Sequence, residues 1–135
     1  MSGAATALRK AVRARLASDA ALSALLGGPK VHDEPPRALP PPYVALGDCE
    51  SRDVSGDDTP AEEHALLVEV WSREGGLSET LKISARIVVL LDGASLTLAG
   101  FRLASLGWVF TDAGHVAEQA FRRATLKFRA LTEPE

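Results

Sequence analysis

The sequence contains a single cysteine, Cys49, among its 135 residues, so no disulfide can form within the chain. The N-terminus lacks the apolar core and the cleavage site of a secretory signal peptide, and we therefore expect an intracellular protein. The densest apolar run, residues 83–91, is interrupted by Arg86 and is far shorter than the roughly 20 residues that cross a bilayer. These absences disfavour a secreted, disulfide-stabilised domain and a membrane protein.

The sequence also lacks the residue patterns of common catalytic, nucleotide and metal sites. His32, His64 and His115 belong to different predicted elements, so the converging ligands of a zinc site are missing. The two glycine pairs lack the spaced glycines and the lysine of a phosphate-binding loop, and no serine stands in a G-x-S-x-G elbow. The residue patterns therefore mark no catalytic site, and we expect no cofactor and no metal ion.

The composition is that of one globular domain. Hydrophobic residues make up 46% of the chain and charged residues 24%, which is close to the usual composition of folded proteins. A chain of this length can bury enough surface for one core, and we assign residues 1–135 to a single domain. The net charge of −3 argues against a generally basic nucleic-acid binder, although charge can still be segregated on one face.

Two stretches have the periodicity of amphipathic helices. In residues 4–17, apolar side chains from Leu8 to Leu16 recur every fourth residue, and basic residues lie on the opposite side. Ser18 is expected to cap a short second helical segment, which gives a helix with a bend near this residue. The other helix covers about residues 78–91, where a narrow polar stripe is surrounded by apolar positions, so we expect it to be deeply packed.

Five segments have the composition or the alternation of strands. They are residues 31–33, 43–49 or 43–54, 64–72, 101–112 and 117–132. The order α-β-β-β-α-β-β predicts an α+β fold, in which a mostly antiparallel sheet carries the two helices on one face.

Alternation within two of these strands predicts one buried and one exposed face of the sheet. In the third strand, Glu69 and Trp71 alternate with apolar side chains. In the last strand, Arg123, Lys127 and Arg129 alternate with small and apolar side chains, which gives a basic stripe on the exposed face. This stripe is either a solvated face, paired with Glu69 across the sheet, or part of an interface, where tryptophan and arginine are enriched.

Residues 52–62 form an acidic, turn-rich connection between two predicted strands. The segment contains Gly56, Pro60 and three aspartates, and it has too little apolar surface to offset the entropy of ordering. Its acid pairs would position a cation or a proton poorly. We therefore expect a loop that is mobile in the isolated subunit and becomes ordered against a partner.

Several short sequences are spread over most of the chain: Asp19-Ala-Ala-Leu22, Leu25-Leu26-Gly27, Val31, Pro42-Tyr43-Val44, Val70-Trp71-Ser72 and Phe128-Arg129-Ala130. In this sequential arrangement they resemble the tail terminator, or tail completion, proteins of long-tailed phages and gene transfer agents. No single motif carries the resemblance, which depends on the order of the segments.

The resemblance implies a structural role without catalysis. In this family, an α/β subunit assembles into a six-fold ring that caps the finished tail tube, stops its polymerisation and offers a docking surface to the head connector, or stopper, protein. The implied partners are further copies of the chain, the tail tube protein and the head connector, and DNA passes through the lumen without specific binding. Assembly is expected in the cytoplasm, followed by residence in the tail of a phage-like particle.

The resemblance supplies no catalytic residue, and we choose candidate interface residues by exposure and charge: Arg52, Asp53, Asp57, Asp58, Trp71, Arg73, Glu74, Arg123, Lys127 and Arg129. Two alternatives stay open. One is a head–tail connector or adaptor protein, which also forms rings but is often mainly helical. The other is a small enzyme or ligand-binding α+β domain, which would need a preformed pocket with convergent polar groups.

Overall fold

The computed structural model describes residues 3–73, 75–116 and 120–135. Within them the chain forms three helices, α1 (Ala4–Ala17), α2 (Ala20–Leu26) and α3 (Ser78–Leu91). The strands are β1 (Val31–His32), β2 (Tyr43–Asp53), β3 (Glu62–Arg73), β4 (Thr97–Leu98), β5 (Phe101–His115) and β6 (Phe121–Pro134). The predicted α+β class is confirmed, and the strand that the sequence did not predict is the short β4.

The strands form one sheet in the order β1-β2-β3-β6-β5-β4. Every neighbouring pair is antiparallel except β1 and β2, so the predicted mostly antiparallel sheet is confirmed. The central strands β3 and β6 pair along the whole of β3, from Glu62 to Arg73. The edge strands β1 and β4 are two residues each, so most of the outer side of β2 and of β5 lacks a strand partner among the described residues.

One face of the central strands packs against the helices. Leu66, Val68 and Val70 of β3 and Leu126 and Phe128 of β6 are fully buried there, in the same cluster as the apolar faces of the helices. Alternation therefore identifies the inner face correctly, because successive side chains of a strand point to opposite sides. The other face, with the intervening residues, is not covered by any helix of the described residues.

The N-terminal helical region divides into α1 and α2 at the predicted bend, but Ser18 is not the capping residue. Asp19 accepts a hydrogen bond from the Leu22 amide at 2.8 Å and is the N-cap of α2. The Ser18 hydroxyl donates instead to the Arg15 carbonyl at 3.2 Å, at the end of α1. The capping prediction for Ser18 is therefore wrong, because its side chain is used by the preceding helix.

Helix α3 is packed on one side only, so the predicted deep packing is wrong for its outward side. Six of its residues are buried against the sheet and the other helices. Leu81 and Val89, however, are 47% and 67% exposed, and with Ala85 they form an i, i+4, i+8 row. The reason is that no element of the described residues lies over this row.

Arginine side chains join the helices to the rest of the fold. Arg86 of α3 forms an ion pair with Asp19 at 2.8 Å, which holds α2 against α3. Arg9 of α1 donates to the Gly47 carbonyl at 2.5 Å and to Asp33 at 2.6 Å. Arg9, on the predicted basic side of α1, therefore holds the helix to β2.

Candidate protein interfaces

The uncovered face of the sheet carries an aromatic and cationic row near the ends of three neighbouring strands. The rings of Tyr43 on β2 and Trp71 on β3 are stacked, with centroids 6.3 Å apart and an interplanar angle of 16°. The Arg123 guanidinium on β6 lies 5.4 Å from the Trp71 ring centroid, within cation–π range. Burial, with a smaller contribution from the charge of Glu69, raises the pKa of Tyr43. These contacts fix the orientation of Trp71 and Arg123.

The basic stripe predicted on this face is present. Arg123 and Arg129 are exposed and Lys127 is partly exposed, and none of the three forms an ion pair with another described residue. Glu69 forms no ion pair with these three residues. Its carboxylate accepts a hydrogen bond from the Trp71 indole at 3.3 Å. The alternative in which Glu69 neutralises the stripe is therefore not observed.

Two of the candidates lie in the last residues of β2, and two lie in the loop beyond it. Arg52 forms an ion pair with Glu63 at 2.8 Å across the β2–β3 hairpin, and this hydrogen bond lowers the pKa of Glu63. Asp53 accepts from the Ser55 hydroxyl and amide, which lowers the pKa of Asp53. Asp57 and Asp58, in contrast, are exposed at the loop tip. Arg52 and Asp53 thus stabilise the hairpin, whereas the tip carboxylates stay accessible.

Arg73 has a clear structural contact at the start of α3. Its guanidinium forms an ion pair with Glu79 at 2.8 Å, and the Ser72 hydroxyl donates to the same carboxylate at 2.6 Å. The Arg73 hydrogen bond is the main reason that the pKa of Glu79 falls to about 2. The neighbouring candidate Glu74 lies outside the described residues.

Sequence reasoning missed three exposed side chains on β5. Trp108, Val109 and Phe110 are 46%, 38% and 41% exposed, although they lie in a strand of the main sheet. A signal was present, because residues 103–111 contain no charged residue. Its meaning depends on the folded structure, in which this part of β5 pairs with β6 on one side and has no strand of the described residues on its other side.

No cluster of three or more His, Cys, Asp or Glu side chains within the described residues could hold a metal ion. A depression of about 330 Å³ beside α1 is lined partly by Arg9 and Arg13, but both guanidinium groups already donate to backbone carbonyls of Gly47 and Val31. None of the helices described is long and apolar enough to span a bilayer.

The fold and sequence are similar to those of solved structures from a gene transfer agent particle and a bacteriophage. The profile of the family described as "Tail completion protein gp17" matches residues 10–133. A chain in the virion of a native gene transfer agent particle is 33% identical, with a TM-score of 0.90 over 98% of this chain and 99% of that one.

The gp17 protein of bacteriophage SPP1 is 24% identical, with a TM-score of 0.64 over 96% of this chain and 91% of that one, and it supports the fold alone. A comparison with functionally characterised protein sequences gives no significant match. Because the family profile covers residues 10–133 of the 135 in the chain, the chain belongs to the tail completion protein family.

Proposed function

We propose that this chain is a tail terminator, which forms a hexameric ring on the last layer of a tail tube, stops tube elongation and joins the tail to a head connector protein. The observation that carries the proposal is the match to the tail completion family over residues 10–133. The 33% identity to a chain of a gene transfer agent virion supports the same context. The subunit would assemble in the cytoplasm and then remain in the tail of a phage-like particle.

Termination of this kind requires complementary surfaces and no chemistry. A ring seated on the tube end covers the surface to which the next tube subunit would add, so tight and specific docking is sufficient. The uncovered sheet face, with Trp71, Arg123, Lys127 and Arg129, is the candidate surface for the tube protein or the head connector. Tryptophan and arginine are the side chains that most often dominate binding energy at interfaces.

The alternative of a head–tail adaptor is less favoured by the architecture. Such proteins are often mainly helical, whereas this chain builds its core around a six-stranded sheet. A small ligand-binding domain would need a pocket with free, convergent polar groups, and the depression beside α1 has its arginines already hydrogen-bonded.

A tube polymerisation assay tests the proposal. Purified tail tube protein is allowed to polymerise with and without this chain, and tube lengths are measured by electron microscopy. We expect the chain to bind tube ends and to stop elongation at substoichiometric amounts. Unchanged tube lengths, with no density of this chain at the ends, would contradict the proposal.

A matched pair of variants examines the sheet face in the same assay. Lys127→Glu reverses a charge on the uncovered face, and Lys10→Glu reverses a charge on the exposed side of α1. If the sheet face binds the tube, Lys127→Glu weakens capping and Lys10→Glu does not. Equal activity of the two variants would assign capping to another surface and leave the terminator function standing.

A further inference from the structure

The uncovered face of the sheet carries charges of opposite sign on the two strands that flank β3. Strand β2 contributes Asp48 and Glu50, and strand β6 contributes Lys127 and Arg129. We propose that two copies of the free subunit associate through this face as a weak dimer with two-fold symmetry. The dimer concerns the subunit before assembly, so it goes beyond the ring proposed above and does not depend on it.

The register of the strands places these charges level with one another on either side of apolar residues. Ala65 of β3 lies opposite Glu50 of β2 on one side and opposite Arg129 of β6 on the other. One row further along, Leu67 of β3 lies opposite Lys127 of β6. From β2 to β6, the face therefore changes from acidic to apolar to basic.

These charges have no partner of opposite sign within the subunit. Asp48, Glu50 and Arg129 are exposed and Lys127 is partly exposed, and none of the four forms an ion pair with another described residue. Strand β3 separates β2 from β6 by about 10 Å, which keeps the acidic and the basic side chains apart. Between them lies a depression of about 310 Å³, which is lined by Asp48, Glu50, Ala65, Leu67, Phe110 and Lys127.

This arrangement of charges is complementary to a second copy of itself. A two-fold axis that runs along β3 brings the acidic strand of each copy over the basic strand of the other, so Glu50 faces Arg129 of the other copy. In a two-fold interface such a contact occurs twice. Leu67 lies near the axis and faces its own counterpart, which gives an apolar centre. An axis across the strands would instead place β2 over β2 and β6 over β6, where like charges repel.

Glu69 opposes this association and therefore reports the position of the axis. It lies on β3 on the same face as Leu67, two residues further along, so the two-fold axis brings it towards Glu69 of the other copy. Its carboxylate accepts a hydrogen bond from the Trp71 indole at 3.3 Å. Glu69→Gln keeps an oxygen acceptor for the indole and removes the like charge, so we expect it to strengthen the dimer.

The size of the face predicts a weak and reversible dimer. Neighbouring strands are about 4.8 Å apart and alternate residues of a strand about 6.7 Å apart, so four strands and the four rows from Ala65 to Trp71 cover on the order of 500 Å² per copy. Two copies together bury about 1,000 Å², the lower limit for a specific interface. We therefore expect a dissociation constant in the micromolar range, which increases with salt because charge pairs are screened.

The dimer covers the face that we propose for the tube protein or the head connector. The two associations consequently compete, and a subunit leaves the dimer before it docks. This consequence rests on the proposed function, whereas the dimer itself does not.

Sedimentation velocity of the purified full chain over a range of concentrations tests the inference. We expect a monomer–dimer equilibrium for wild type. Arg129→Glu and Glu50→Arg each place like charges together twice per dimer, so we expect each to raise the dissociation constant at least about tenfold. Lys10→Glu is the control, because it makes the same change of charge as Arg129→Glu on the exposed side of α1 and should leave the constant unchanged. Thermal unfolding checks that each variant is folded.

A mixture of the two charge-reversed chains separates a contact between copies from a contact within one chain. In a heterodimer of the Arg129→Glu chain and the Glu50→Arg chain, both pairs again join opposite charges. We expect the mixture to associate about as tightly as wild type, although neither chain associates well alone. A contact within one chain could not produce this rescue.

Three results would overturn the inference: a wild-type chain that stays monomeric at every concentration, an association that neither charge reversal weakens, or a mixture that shows no rescue. A Glu69→Gln chain that associates no more tightly than wild type would contradict an axis along β3. Each of these results leaves the terminator proposal standing, because tube capping is measured separately. Loss of capping with an intact dimer would instead overturn the proposed function alone.

Discussion

Asp19 shows how one residue can join three elements. Its carboxylate caps α2 through the Leu22 amide and also binds Arg86 of α3, directly after the end of α1. The hydrogen bond from Arg86 is the largest cause of its low pKa, which is about 2. The interaction is therefore between a carboxylate and a guanidinium at pH values above about 2.

We expect stability at pH 7 to decrease from wild type to Asp19→Asn to Asp19→Ala. Asparagine keeps the cap and loses the ion pair, whereas alanine loses both. Because the folded pKa is depressed, the contribution of the charge is fully present above the unfolded value of 3.8 and is lost as pH falls towards about 2. Urea unfolding at several pH values measures this, and equal stability of wild type and Asp19→Asn at pH 7 would refute the account.

His64 is a buried titratable residue on the inner face of β3. Its Nδ1 lies 2.6 Å from the Ser51 hydroxyl and its Nε2 lies 2.8 Å from the Thr132 hydroxyl, so the neutral ring is satisfied in either tautomer. Burial lowers its pKa. As pH falls below the ordinary pKa of histidine, the unfolded chain therefore binds a proton at His64 that the folded chain does not yet bind.

The free energy of unfolding should accordingly decrease between pH 7 and pH 5, a window above the usual carboxylate pKa values. We expect the decrease to be smaller in His64→Gln than in wild type. Urea unfolding midpoints measure the decrease, and an NMR titration should give His64 a pKa below 6.5. A His64 pKa at or above that value would show that burial does not control its protonation.

At the scale of elements, the β2–β3 hairpin separates a rigid stem from an exposed tip. The stem is held by the Arg52–Glu63 ion pair and by the Val54 amide, which donates to the Ala61 carbonyl at 2.9 Å. All residues from 54 to 60 are exposed. The tip therefore contributes little buried surface to the fold.

Deletion of residues 55–59 should leave thermal stability nearly unchanged and impair assembly into tailed particles. Shortening a surface loop changes stability by less than about 1 kcal/mol, which corresponds to a melting-temperature change within about 5 °C. Calorimetry and particle yield are the measurements, and amide exchange should show weak protection of the tip in the free subunit. Wild-type particle yield from the deletion would remove this loop from the list of interfaces.

The sequence predicted the helices and strands better than it predicted which of their faces are covered in the folded chain. The period-two alternation in β3 and β6 identified the inner face, because it places the apolar side chains of Leu66, Val68 and Phe128 on one face, where they are buried. It could not show that Val89 stays exposed, since an apolar helix looks the same whether or not a partner covers it. Nor could it show the exposure of Trp108, which depends on which elements lie over this part of β5 in the folded chain.

At the scale of the whole molecule, charge limits what a ring can bind. Six copies with a formal charge of −3 each sum to 6 × −3 = −18. A ring whose lumen carries this excess of negative charge would let DNA pass without holding it. The exposed Arg123 and Arg129 lie on the sheet face, where a protein partner can cover them.

We therefore expect negligible affinity of the isolated protein for duplex DNA at physiological salt. Fluorescence anisotropy with a labelled duplex measures it, with the salt dependence as an internal check. Binding at micromolar concentration or tighter, with a steep salt slope, would mean that the basic stripe contacts phosphates.

The central claim is that copies of this chain close a ring at the end of a tail tube, and the copy number and position of the chain in assembled particles test it most directly. Cryo-electron microscopy of particles, combined with quantitative mass spectrometry against the tube protein, gives both values. We predict one closed ring of six copies, matching the six-fold ring implied for the family, at the head-proximal end of each tube. One or two copies per particle, or copies distributed along the tube, would contradict the account.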